Sequence, residues 1–193
     1  KYMTAKEEDI LTSQNLIKQG TVIDVLLQSL IVDKTINIQD LLIGDKNAIM
    51  VAARILGYGK QYEFEYDGVE QEVDLSQLEP KDIDFKNLSK GVDEFVFELP
   101  NSKRKLTFKL LNGKDEIQIA AELKALERIS KLKSSELTTR LKRIILSVDG
   151  NSEKEYINNF VDNEFLSRDS LAFRKYLSEI TPDMDMTAKI VDS

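Results

Sequence analysis

Apolar residues recur along this chain with two different periods, and the switches between them suggest its organisation. Thr4 and Glu7 have the spacing of a capping box that opens a short helix through Ile10 and Leu11. Gly20 and Thr21 then restart the helical pattern, with Val22, Ile23, Leu26, Leu27 and Leu30 on a broad apolar stripe and Asp24 as the partner of a cap at Thr21. Residues 32–39 lose the period and read as a connection. Residues 41–59 form a turn, an apolar helix and an aromatic exit. Gly44 and Asp45 supply the turn and N-cap, and Ala48, Ile49, Val51, Ala52, Ile55 and Leu56 predict a helix buried over much of its circumference. Gly57 and Gly59 flank Tyr58 and end it.

Period two takes over next. Tyr62, Phe64 and Tyr66 alternate with Gln61, Glu63 and Glu65, Asp67 and Gly68 have the chemistry of a two-residue hairpin turn, and Val69, Gln71, Val73 and Leu75 continue the alternation. After an irregular crossing over residues 78–91, Phe95, Phe97 and Leu99 are followed by a turn and then Leu106, Phe108 and Leu110. The two hairpins are expected to join as a four-stranded antiparallel sheet, because an isolated hairpin is marginal in water. Asn112, Gly113 and Asp115 mark the return to helix, which runs to about Leu132. A further helix from Ser135 packs Leu137, Leu141, Ile144, Ile145 and Val148 inward. Ser152 and Glu155 suggest another capping box, and Leu171, Phe173, Tyr176, Leu177 and Ile180 a last helix limited by Pro182. Met184, Met186 and Ile190 alternate as a strand-like tail. The expected architecture is α+β: an N-terminal helical region over 1–59, a central antiparallel β region of hairpins over 60–111 and a C-terminal helical lobe over 112–193.

Composition narrows the chemistry. Histidine and cysteine are both absent, which removes disulfides, thiol nucleophiles, imidazole bases and the usual zinc ligands. A net charge of −7 disfavours general nucleic-acid binding. No apolar run reaches the roughly 20 residues of a membrane span, so an aqueous environment is expected. The glycines around Tyr58 and at Gly113 lack phosphate-loop spacing. Asp82 with Asp84, and Asp183 with Asp185, are too few ligands for calcium and read as solvated loops rather than an acid/base site. Arg128, Lys131, Lys133, Arg140, Lys142 and Arg143 concentrate positive charge among Glu122, Glu127 and Glu136 and read as charged helix surface, with steering of an acidic protein as the functional alternative. Arg54 is the lone arginine of the apolar helix. It is too far along the helix from Asp45 for a direct bond, and reads as a residue with a structural partner elsewhere or as an anchor for another protein.

Several motifs in order carry a resemblance: MTAKEEDIL over residues 3–11, GDKNAI over 44–49 followed by ARILGYG over 53–59, FKLLNGKD over 108–115 and SRDSLAFRKY over 167–176. Together they resemble the baseplate hub assembly protein family of T-even-like contractile-tailed bacteriophages. Relatives in that family often carry paired cysteines of a zinc ribbon, and this chain has none, so no metal or other cofactor is carried over. The family also has a short segment before the first motif, and a start at Lys1 is expected to lack it.

The resemblance implies a late, chaperone-like protein of virion assembly that binds structural or assembly proteins of the baseplate hub in the host cytoplasm. A subunit retained in the tail baseplate is the alternative, and an acid-based cell-wall hydrolase a third class. No nucleic acid and no membrane is implied as partner, and homo-oligomerisation is compatible with the reading. Asp45, Asn47, Arg54 and Tyr58 stand out in the first region, and Arg168, Asp169 and Arg174 at the last helix, as structural or partner-binding residues with no catalytic role.

Overall fold

Thr4 opens the chain's first helix as its spacing predicts. In the computed structural model, which describes residues 1–83, 93–129 and 135–187, the fold is α+β, with N-terminal helices, central antiparallel sheets and C-terminal helices. The chain divides into two units. One runs from Lys1 to Asp82 and takes in the segment beginning at Pro182, and the other spans Ile83–Thr181.

The first unit begins with α1 (Ala5–Thr12), α2 (Gln14–Gln19) and α3 (Val22–Leu30). The Glu7 carboxylate accepts from the Thr4 N–H at 2.9 Å and the Thr4 hydroxyl at 2.6 Å, closing one half of the capping box, and Lys1 Nζ lies 2.6 Å away. The hydrogen bond from Lys1, with those from Thr4, holds this carboxyl at about 2, down from 4.5. Gly20 ends α2 at a φ of 70°, where a side chain is strained. Leu26, Leu27 and Leu30 of the predicted stripe are buried, whereas Ile23 is exposed. Asp24 does not serve its cap. It pairs with Lys46 and accepts from Gln39 Nε2 at 2.7 Å, tying α3 to the following turn and helix.

That helix, α4 (Ile43–Tyr58), starts before the expected cap: Leu42 is the N-cap, and Gly44 and Asp45 lie in the first turn. Only Gly44 and Ala53 are buried, and Leu56 is 53% exposed, so the expected burial of most of the circumference is not met. Ala53 packs with Leu26 and Leu30, while the opposite flank is only half covered. The hairpin of β1 (Gln61–Tyr66) and β2 (Val69–Asp74) follows, with Asp67 and Gly68 both at positive φ. These are the conformations of the turn that matches strand twist. Lys60 and Asp74 pair at 2.8 Å at its base. The segment from Pro182 returns to this unit. Lys81 N donates to Asp183 O at 2.8 Å and Asp185 N to Glu79 O at 2.9 Å, so the tail makes a bridge rather than the expected strand, and Ile190 lies outside the described residues.

The hairpin stands alone as a two-stranded sheet, which corrects the expected four-stranded one. Glu63 faces Glu72 and Glu65 faces Glu70 across it. Like charges placed directly opposite oppose pairing. Glu70→Lys is therefore expected to raise stability by about 0.5 kcal/mol in low salt, a gain that shrinks as salt screens it. Urea melts at two ionic strengths check this; an unchanged midpoint in low salt would refute it.

The second unit's sheet has the order β3-β4-β5: β3 (Phe95–Glu98), β4 (Lys105–Phe108) and β5 (Ile145–Val148). The third strand comes from residues expected to be helical. Helix α5 (Gly113–Ile129) starts where predicted, with Asp115 N donating to Asn112 Oδ1 at 3.0 Å, and residues 130–134 lie outside the description. Helix α6 (Glu136–Ile144) ends at Ile144 and passes directly into β5. Ile144, Ile145 and Val148 are buried and their spacing also fits a helical stripe, so periodicity alone does not separate strand from helix here. Leu137 is exposed instead. Helix α7 (Lys154–Asn159) is capped at Glu153, whose N–H is held by Asn151 Oδ1 at 2.9 Å, so Ser152 is not the cap. Helix α8 (Ser167–Ile180) closes the unit. Leu99, Leu106, Phe108, Val148, Phe160 and Phe173 are at most 1% exposed and form its core, each such side chain stabilising by about 1.5–3 kcal/mol. Leu171 of the predicted inward face points outward.

Candidate functional site

Alternation along β1 puts Tyr62 and Phe64 on one face of the hairpin, opposite Val73 and Gln71 of β2. The same alternation sends Glu63 and Glu65 to the other face. On α4, Met50, Val51 and Arg54 share a stripe because they lie three and four residues apart. These two surfaces, with Leu75 and Leu78 after the hairpin and Met186 of the returning segment, line a groove of about 530 Å³. Its walls are mostly apolar, and Arg54 is the charged residue among those that line it. The volume lies in the roughly 300–1,000 Å³ range of clefts that take small ligands.

Arg54 is the charged group of this groove. Its Nη1 donates to Gly59 O at 3.1 Å and Nη2 to Gln61 O at 3.4 Å. The rings of Tyr58 and Tyr62 lie 5.1 and 5.7 Å from its guanidinium carbon, within cation–π range. Gly59, at a φ of 86°, lets the chain turn so that its carbonyl meets Arg54. Tyr58 is thereby gathered with Arg54, although half of it remains exposed. Asn47 sits one turn before Met50 and Val51, and its Nδ2 donates to Asp183 Oδ1 at 3.0 Å, fastening the returning segment. Asp45 is exposed and joins neither interaction.

The residues singled out at the last helix form a separate arrangement in the second unit. Asp169 is fully buried and accepts from the Asn101 N–H, the Asn101 side-chain amide and the Ser102 N–H at 2.8, 2.8 and 2.9 Å. Burial alone would raise its carboxyl, but the bonds from Asn101 and Ser102 prevail and hold it at about 2. It thus ties the turn between β3 and β4 to α8. Arg168 and Arg174 are exposed, the latter donating to Ser170 O of its own helix at 3.4 Å. Neither touches Asp169 through a hydrogen bond among the described residues.

Of the four described residues of the predicted basic face, Arg140 and Lys142 are paired with carboxylates, whereas Arg128 and Arg143 make no ion pair among the described residues. Arg140 grips Glu116 with two bonds of 2.7 and 2.9 Å, and Lys142 meets Asp162 at 2.7 Å, while Lys131 and Lys133 lie outside the described residues. Of the aspartate pairs, Asp84 also lies outside them. Asp183 is engaged by Asn47, and Asp185 holds Thr187 N at 3.0 Å. Among the described residues no group of three or more carboxylates assembles as a metal site, and no helix is long and apolar enough to cross a membrane.

Among the groove residues, sequence reasoning singled out Arg54 but missed Met50, Leu78 and Met186. The face shared by Val51 and Arg54 was readable from their spacing; the convergence of residues 50, 78 and 186 was not. No family model, curated protein or solved structure matches the chain.

Proposed function

We propose that this protein is a non-enzymatic assembly factor of a contractile phage tail that acts by binding structural proteins of the baseplate hub. The observation that carries the binding half of this reading is the apolar groove beside Arg54. Exposed apolar concavities bordered by a polar anchor favour protein or ligand contact over a purely structural role. The hub half rests on the ordered motifs, and the groove's α4 wall of Met50, Val51 and Arg54 runs from the end of the GDKNAI stretch into ARILGYG. A chaperone-like factor would use such a groove to cover an apolar segment of a hub protein until assembly buries it.

The test is a pull-down with the tagged chain from infected cells, set beside the protein inventory of purified tails. Hub structural proteins are expected in the pull-down, and the chain is expected to be missing from finished tails. A stoichiometric copy in finished tails would replace this reading with that of a retained hub subunit. Recovery of no hub protein would overturn both.

A further inference from the structure

Arg54 differs from Arg104 and Arg140 in what it holds. Arg104 binds Asp149 and Glu164, and Arg140 binds Glu116 and Glu136. The hydrogen bonds of Arg54 go to two neutral carbonyls, and among the described residues no carboxylate pairs with it. A guanidinium carries five N–H donors, so three remain after these bonds. The Tyr58 and Tyr62 rings lie 5.1 and 5.7 Å from its guanidinium carbon, and together with the two carbonyl bonds they restrict the side chain, which lowers the ordering cost of a further bond. The glutamates nearest in sequence, Glu63 and Glu65, belong to the opposite hairpin face.

From this charge pattern we infer that the groove takes an apolar segment of a partner protein that carries a single carboxylate beside its apolar side chains, and that Arg54 selects for it. The inference rests on the protein-binding reading of the groove. Apolar side chains of the segment cover Met50, Val51, Phe64, Val73 and Leu78, and the carboxylate meets the free edge of the guanidinium, where a two-pronged contact is the strongest available. A tract of acids fits poorly. The chain has a net charge of −7, and the reverse of the hairpin carries Glu63, Glu65, Glu70 and Glu72. Their field falls off over about 8 Å at physiological ionic strength, so it opposes a charged run more than one carboxylate in direct contact.

The experiment selects binders to the whole chain from a displayed random dodecapeptide library, discarding those that also bind Val51→Lys, which blocks the groove. The best peptide is then measured against wild type and Arg54→Gln, together with its counterpart in which the acidic residue is replaced by the amide. Enriched peptides are expected to combine bulky apolar residues with one acid. Loss of either the acid or Arg54 is expected to weaken binding by about tenfold, with little further loss when both are changed. Methyl spectra of Met50 and Met186 report that each variant keeps its fold and that the peptide sits in the groove. Acid and amide peptides of equal affinity would overturn the carboxylate inference while leaving groove docking standing. Enrichment of no groove-dependent peptide would overturn the inference itself, and the hub reading would still be decided separately by the pull-down. Tight displacement of the peptide by octanoate, with octanol inert, would replace the peptide by a small amphipathic carboxylate.

Discussion

Gly44→Val is expected to destabilise the first unit by about 3 kcal/mol and to loosen the segment that returns at Pro182. A Cβ at Gly44 would stand 2.6 Å from the Pro182 carbonyl carbon and 2.7 Å from Asp183 Cα, closer than any unstrained contact. Both are backbone atoms, so no rotamer change relieves the clash; either α4 or the segment must move. The segment is held by Asn47 through Asp183, and by the backbone bonds of Lys81 and Asp185. Displacing it breaks these bonds and removes Met186 from the groove. Urea denaturation and the methyl signals of Met184 and Met186 read the two effects. Asp45→Ala, one position on and exposed, is expected to stay within about 0.5 kcal/mol. Equal stability of the two variants would show that the approach at Gly44 is not a constraint.

The second large effect belongs to Asp169. Asp169→Ala strips three donors of their acceptor at the turn between β3 and β4, and a cost of about 3 kcal/mol is expected, hydrogen bonds to a charged acceptor being stronger than neutral ones. Asp169→Asn keeps the shape and one carbonyl acceptor, so its loss is expected to be smaller. The two variants separate charge from geometry. The carboxyl is held at about 2 against an ordinary 3.8, so its stabilising contribution is complete well above pH 4 and is lost as pH falls towards 2. Glu7, lowered from 4.5 to about 2, adds a contribution of the same sign in the first unit. Wild-type urea midpoints should therefore fall between about pH 4.5 and 2, and the Asn variant should lose part of that slope. A variant with the wild-type stability and slope would mean that the buried carboxylate contributes nothing.

How legible these features were in the sequence depended on how far their causes lay apart along the chain. Thr4 and Glu7, Asn112 and Asp115, and Asp67 with Gly68 act over one turn of backbone, and their roles in cap, helix start and hairpin were readable from spacing or residue type. The passage from α6 to β5 was not. Ile144, Ile145 and Val148 satisfy a helical stripe, and what makes the last stretch a strand is its pairing with Leu106 and Thr107 on β4, some forty residues earlier. Asp24 likewise had the spacing of a cap partner, yet Lys46 and Gln39 took its carboxylate.

The residues at the two candidate arrangements divide in the same way. That Arg54 and Tyr58 share a helix face follows from their spacing, and Asp169 stood out as an acid at a helix entry. That Asp169 would be buried beneath a turn at Asn101 was invisible, since the donors that hold it belong to a hairpin 67 and 68 residues away. The sequence by itself determined the α+β class, most helices, the first hairpin and its two-faced chemistry, because hydrophobic period and turn residues act locally. Only the tertiary structure decided that the hairpins belong to separate sheets, that Gly44 is a point of close approach, and that α4, the hairpin and Met186 enclose a groove. Each of these needs backbone from distant parts of the chain to meet, and such meetings are settled by packing and pairing that no local period encodes.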